Sequence, residues 1–325
     1  MFLLKKYPKT ILSILIGTAI YYLKKFFFPK VEWDPFKENK ITNDNKLQII
    51  NKSTDSKKIT KVKSIPDSNK LSKKQQEFFA KQALQIVGKY IPLPKEAVIA
   101  HLFPTEKNVK TKLIVFGNKK GKIVGLNSFA HKELKIGGKL YKIITPGIYF
   151  AEEYRRTHHT FHHVLREMLS SIFFYTMRGK NVIWADIMTV YSYSLMKTIV
   201  SKSYPAYNKK TPNKIAGLMN NLIKEFKLTK KPSKNKNSFV VESPFPFKIP
   251  SKDYERFKKS NNPNIKFFCK NTEFAKSPGK YQMFVCIPIN CKNIMWSSWH
   301  AWKKIFMRYI NNLCDHPSSF QQSPS

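Results

Sequence analysis

Arginine is nearly missing from this chain. Of its 59 basic residues only those at 155, 156, 166, 178, 256 and 308 are arginine, and the rest are lysine. Acids are scarce too, so the formal net charge is +39. A field of lysines attracts polyanions, but base readout relies on arginine forks and on reader motifs that do not occur here. Specific nucleic-acid binding is therefore not expected, whereas attraction to anionic lipid is. The accompanying wealth of Asn, Ile, Phe and Tyr is what A/T-rich coding produces. Cysteine is confined to positions 269, 286, 291 and 314 with no CxxC spacing, which excludes the usual zinc modules and leaves buried or idle thiols. Only in an exported domain would Cys286 and Cys291 be candidates for pairing. No serine nucleophile elbow, Walker loop or dinucleotide fingerprint is present, and no internal repeat. Hydrophobic residues at 42% and aromatics at 14% exclude disorder as the general state.

A long hydrophobic run is missing as well. Residues 10–23 are uncharged and mostly apolar, short of the roughly 20 residues of a full span, but Phe26, Phe27 and Phe28 extend them while Lys24 and Lys25 snorkel. Residues 10–28 are thus expected to meet a membrane as a single-pass anchor, with Tyr21 and Tyr22 at the interface. The alternative is a signal segment cleaved near Gly17 and Ala19, which would export the protein. Residues 37–77 contain no aromatic residue and are dominated by Lys, Asn, Ser, Thr and Asp, a composition that reads as a tether. The expected organisation is an anchor or signal at 1–30, a lysine-rich flexible linker at 31–71, one mixed α/β domain at 72–312 and a disordered tail at 313–325. Trypsin should cut the linker first and release a soluble fragment starting near Ser72.

Within the domain, Ser72 with Gln75 three residues on is a capping box, followed by a helical apolar face through Phe78, Phe79, Ala83, Leu84, Ile86 and Val87. Residues 112–116 and 122–126 flank a Gly-Asn-Lys-Lys-Gly turn, and Gly137-Gly138 turns the chain into 140–150, which predicts a three-strand meander. Residues 157–177 repeat apolar residues at helical spacing. A strand at 182–187, helices at 192–202 and 212–226, strands at 238–242 and 282–288 and a Trp-rich helix at 297–312 complete the pattern. Strand, helix and strand at this spacing make a βαβ unit joined to the meander. Trp296, Trp299 and Trp302 recur every third residue and are read as a buried stripe rather than a membrane belt.

The most informative segment is 146–160, PGIYFAEEYRRTHHT, where a strand feeds a helix. Unpaired N–H groups at a helix start and two neighbouring guanidinium forks, Arg155 and Arg156, suit a phosphate or pyrophosphate. The competing reading leaves them as solvated linker residues or pairs them with Glu152 and Glu153. His158, His159, His162 and His163 invite a metal, but the remaining histidines are scattered and His159 and His163 fall on the solvent face of the helix, so no metal is expected.

The order of elements and this junction resemble the GNAT acyl-CoA N-acyltransferase superfamily, over about residues 112–207. Its signature is a strand, an arginine or glutamine, a turn of two glycines and a helix, and Tyr154, Arg155 and the following turn occupy the matching positions. His158 and Thr160 stand where the family has glycines, so this is a divergent member by resemblance. The resemblance implies a GNAT-like acyltransferase fold and coenzyme A or acyl-CoA as donor, bound by Ile148, Phe150, Arg155, Arg156, Thr157, His158, His159 and Thr160. It also implies an amine acceptor, an oxyanion held by strand amides from about 148 to 151, and Tyr191 or Tyr193 as the acid that protonates the thiolate. Glu152 is a candidate base. The expected function is a membrane-tethered acyltransferase. The alternative is a non-catalytic scaffold of degenerate acyltransferase fold whose lysines bind an anionic membrane or a protein partner.

Overall fold

The computed structural model describes residues 34–38, 59–87, 94–106, 108–154, 180–232, 239–244 and 249–290, together with 167, 170–171, 175, 178, 292–293, 295–297 and 299. Among them a seven-stranded mixed sheet runs in the order β1-β2-β3-β4-β5-β7-β6. The strands are β1 (Ile59–Ile65), β2 (Val109–Asn118), β3 (Ile123–Ile136), β4 (Lys139–Phe150), β5 (Asn181–Met188), β6 (Val240–Glu242) and β7 (Tyr281–Pro288). After a four-residue helical turn at Pro35–Glu38, the longer helices are α1 (Lys73–Val87), α2 (Lys95–Leu102), α3 (Val190–Ile199), α4 (Asn213–Glu225), α5 (Ser251–Lys258) and α6 (Pro263–Asn271). Every strand pair is antiparallel except β4 with β5.

Local chemistry accounts for much of this. The capping box forms as expected: Ser72 N–H donates to Gln75 Oε1 at 3.0 Å and Gln75 N–H to Ser72 Oγ at 3.4 Å. The meander turns where glycines allow it, with Gly137 and Gly138 at φ 56° and 75°. Thr189 caps α3 by accepting from Ser192 N–H, and Pro212 precedes α4.

Alternation along the strands divides the core into two faces. On the front, Leu113, Val115, Leu126 and Tyr149 pack against α1 and α2. Ile143, Ile183, Ala185 and Phe284 pack against α4 on the same side. On the back, Ile114, Phe116, Phe129, Ile144 and Trp184 meet Tyr193 of α3, Phe257 of α5 and Phe268 of α6. Glu167 also docks there, its carboxylate 2.5 Å from Lys112 Nζ and 3.2 Å from His131 Nε2. Burial opposes its charge, but hydrogen bonds from His131 and Lys112 and their attraction hold its pKa at about 2.

Two expectations are corrected. The linker expected over 31–71 is not a free tether along its whole length. Ile59–Ile65 forms β1, paired antiparallel with β2 from Ile59↔Asn118 to Ile65↔Leu113, and Phe36 packs on Phe78 and Phe79 of α1 at ring distances of 5.6 and 5.1 Å. The reason is that an edge strand needs few apolar contacts: Ile59 is buried while Thr60, Lys63 and Ser64 stay exposed. The tryptophan stripe is the second correction. Trp296 is 45% and Trp299 56% exposed, and Ser297 is buried instead. The inward side of that helix is polar, because Asn293 accepts from Ser201 Oγ and Lys202 N–H and donates to the Lys202 and Pro288 carbonyls.

Cys286 is a free thiol, fully buried on β7. Residues 10–28, most of 157–177, and Trp302 lie outside the described residues. No helix among the described residues is long and apolar enough to cross a membrane.

Candidate functional site

β4 and β5 run in parallel and share a ladder only over Tyr141–Ile144 and Asn181–Trp184. Beyond that point each strand keeps its other neighbour. β4 stays paired with β3 as far as Phe150↔Gly125, and β5 with β7 as far as Met188↔Met283. The two strands therefore part towards their carboxyl ends, where ligands of open α/β sheets bind.

The direction of the peptide groups follows from the ladders. Ala151 N–H donates to Val124 O at 3.0 Å, so odd-numbered residues of β4 bond to β3 and the N–H groups of Ile148 and Phe150 point into the gap. Pro146 falls in the same even register. It has no N–H to offer β5, which is one physical cause of the parting, and it is tolerated because its nitrogen faces the gap. On β5, Ile289 N–H donates to Val182 O at 2.9 Å, so Ala185 and Ile187 present their peptide groups to the gap.

On the front face the gap opens into a cavity of about 360 Å³ between α2, β4, β5, β7 and the residues that follow α4 and β6. Asp186 lines it. Its carboxylate accepts from Ile187 N–H, yet burial pushes the pKa up to about 8, which places a proton acceptor near neutrality inside an apolar recess. Tyr149 lies close enough for the charge on Asp186 to act on its phenol, whose pKa is pushed well above the usual value by burial first and by that charge second. His101 of α2 meets the Tyr149 ring edge-on at 6.0 Å and 86°. Burial lowers its pKa, so the imidazole is neutral.

His101 can sit there because position 147 has no side chain. A β-carbon on Gly147 would stand 2.4 Å from both His101 Nε2 and Ser128 Oγ. Gly147→Ala is expected to cost about 1–3 kcal/mol through overpacking. Thermal denaturation should show a smaller loss when His101→Ala is made in the same chain.

Of the residues expected from sequence, the structure brings Ile148 to the cavity wall. Phe150 is buried, its ring tilted against Phe116 at 5.0 Å, with its N–H aimed at the gap as derived above. Among the strand amides expected to hold an oxyanion, that of Ala151 is engaged by Val124. Glu152 is exposed in a short helical turn, Glu152–Tyr154, away from the cavity. Tyr191 donates to Asp253 Oδ2 at 2.5 Å and packs on Phe257. Tyr193 is fully buried and donates to Pro205 O at 3.2 Å. Neither tyrosine lines the cavity. Arg155, Arg156, Thr157, His158, His159 and Thr160 lie outside the described residues.

No protein-family model matches the chain, and no curated protein does. Solved structures align with part of it. One is a conserved protein of unknown function from Enterococcus faecalis V583, described as a probable N-acyltransferase, at 12% identity over 43% of this chain and 31% of that one, with TM-score 0.28. Another is a provisionally assigned phosphinothricin N-acetyltransferase, 16% identical over 42% of this chain and 78% of that one, TM-score 0.27. A third is a GCN5-related glucosamine N-acetyltransferase region of a fungal multi-domain β-N-acetylglucosaminidase, 16% identical over 62% of this chain and 20% of that one, TM-score 0.28. The chain thus spans about a third or less of two of these proteins. Likenesses this slight carry no argument about this chain.

The sequence reading missed Asp186 and His101. Asp186 had a visible signal, a lone acid in the otherwise apolar run Val-Ile-Trp-Ala-Asp-Ile-Met. His101 had none, since α2 is too short for its period to stand out.

Proposed function

We propose that this chain is an acyltransferase that moves an acyl group from an acyl-CoA thioester to an amine, with the reaction centred in the gap between β4 and β5. The observation that carries the reading is the parting of two parallel strands beside a half-buried carboxyl, Asp186. A donor arm bearing amides can enter such a gap as an added strand, and the arm of coenzyme A carries two. The N–H of Ile148 is oriented for it. Arg155 and Arg156, with the segment Thr157 to Thr160, are assigned the pyrophosphate end of the donor on the strength of the sequence resemblance.

Asp186 is assigned the base. Its carboxylate takes a proton from the acceptor ammonium, and the neutral nitrogen attacks the thioester carbonyl. The carbonyl electron pair moves to oxygen, where gap-facing N–H groups of β4 hold the charge. As the carbon–sulfur bond breaks, the proton still surplus on nitrogen ends on the departing thiolate. Gly147 lets neutral His101 approach the backbone of β4 and so closes the recess against water.

Calorimetry with coenzyme A and acyl-CoA tests the donor. Binding should be measurable below millimolar ligand and fall at least tenfold in Arg155→Ala. If millimolar ligand gives no heat and no protection, the enzyme reading fails.

The exposed Met295, Trp296 and Trp299 favour a second reading, a scaffold on anionic lipid. Its binding to anionic vesicles should weaken steeply with salt and be indifferent to Arg155→Ala.

A further inference from the structure

The cavity has a charge character opposite to that of the chain. Among 59 lysines and arginines in the sequence, none lines it in the described residues, and Asp186 is the acid there. Its walls are Val98, Tyr149, Ile187, Phe226 and Phe284, and Phe226 and Phe284 meet edge-on at 6.2 Å. The other polar side chains on the wall, Thr145, Thr189, Ser243 and Gln282, are neutral, and so is His101, whose pKa burial lowers.

We infer that the acceptor is a small monocationic amine with an apolar or aromatic body, its ammonium on Asp186 and its body between Tyr149, Phe226 and Phe284. This rests on the acyltransferase reading only for the word acceptor; the cavity's ligand class stands on the lining itself. An anionic acceptor such as an acidic amino acid or a sugar phosphate would set its own charge beside a carboxylate with no cation to balance it. A polyamine would satisfy one ammonium and leave the next against aromatic walls, unpaired and desolvated. A volume of about 360 Å³ is at the small end for ligand sites, so the body is of the size of one ring and a short chain.

The geometry also explains why the pairing is productive. One ammonium beside one carboxylate shares one proton, and when that proton sits on Asp186 both groups are neutral in an apolar recess. No second acid is required to neutralise the site.

The test is calorimetry on the full-length protein with phenethylamine, its neutral isostere 2-phenylethanol, glutamate and spermidine as probes. Phenethylamine should bind at least tenfold more tightly than any of the other three. In Asp186→Asn its advantage over 2-phenylethanol should disappear, and circular dichroism checks that this variant is folded. Phe226→Ala should weaken phenethylamine at least fivefold while leaving ethylamine unchanged, which keeps the inference testable without touching the acid. A preference for glutamate or spermidine, or an unchanged preference in the folded Asp186→Asn chain, overturns it. Coenzyme A titrated in parallel separates the two readings. Asp186-dependent phenethylamine binding without coenzyme A binding leaves the ligand class standing and removes the acyltransferase. Coenzyme A binding without discrimination among the amines does the reverse.

Discussion

Asp186→Asn is expected to lower turnover by roughly 10²- to 10⁴-fold, the usual share of a positioned base, and at the same time to raise thermal stability above neutral pH. The two effects have one cause. Asp186 has a folded-state pKa of about 8 because burial disfavours its charge, against roughly 3.9 in an unfolded chain. Between these values the folded state holds a proton that the unfolded state releases, so the contribution of Asp186 to stability falls as pH rises from about 4 to about 8. Asparagine is nearly isosteric and removes that dependence. The melting temperature of the variant should match wild type near pH 4 and exceed it increasingly up to pH 8, by the equivalent of about 2–5 kcal/mol. Wild-type activity should rise over the same range, since the base must be ionised to accept a proton. A variant that is less stable at every pH, or one that keeps the wild-type rate, would remove Asp186 from the mechanism.

Deleting residues 1–71 is expected to unfold or aggregate the domain rather than release a soluble core. The loss includes β1, whose register with β2 extends over Ile59–Ile65, and the buried side chain of Ile59. It also removes the packing of Phe36 on α1. Burial of one large aliphatic residue contributes about 1.5–3 kcal/mol, and each ladder hydrogen bond about 0.5–1.5 kcal/mol. The sum is on the order of 5 kcal/mol or more, against a typical total stability of 5–15 kcal/mol. The deletion also leaves the apolar β2 as a bare edge, a template for aggregation. A chain beginning at Asp34 should stay soluble and melt cooperatively, and one beginning at Ser72 should not. Equal melting temperatures for the two would mean that β1 is dispensable and that the sequence-level boundary at Ser72 was sound.

Some of this protein was written locally and some was not. The capping box at Ser72, the hairpin turn before Ile123, the glycines at 137 and 138 and the short apolar run of β5 are short-range signals, and the elements they predict stand in the fold. β1 was not legible, because seven residues with two lysines look like linker until β2 supplies the partner for their backbone. α5 and α6 are not legible in the sequence for a related reason. They are short and polar outside, and Phe257 and Phe268 count as core only once the back of the sheet is there to receive them.

The sequence by itself determined that the chain holds a mixed α/β unit with a meander followed by a parallel strand, because turn chemistry and periodicity act over a few residues. It also determined that the charge of +39 is carried by lysine. Tertiary structure alone decided where the proposed site lies. Pro146 withholds a hydrogen bond on one edge, β7 claims the other side of β5, and the strands part. In the space between, Asp186 acquires a pKa that no neighbour in sequence could give it. Desolvation depends on everything that surrounds a group in three dimensions, and here the surroundings come from α2, β4, β5 and β7, which are far apart along the chain.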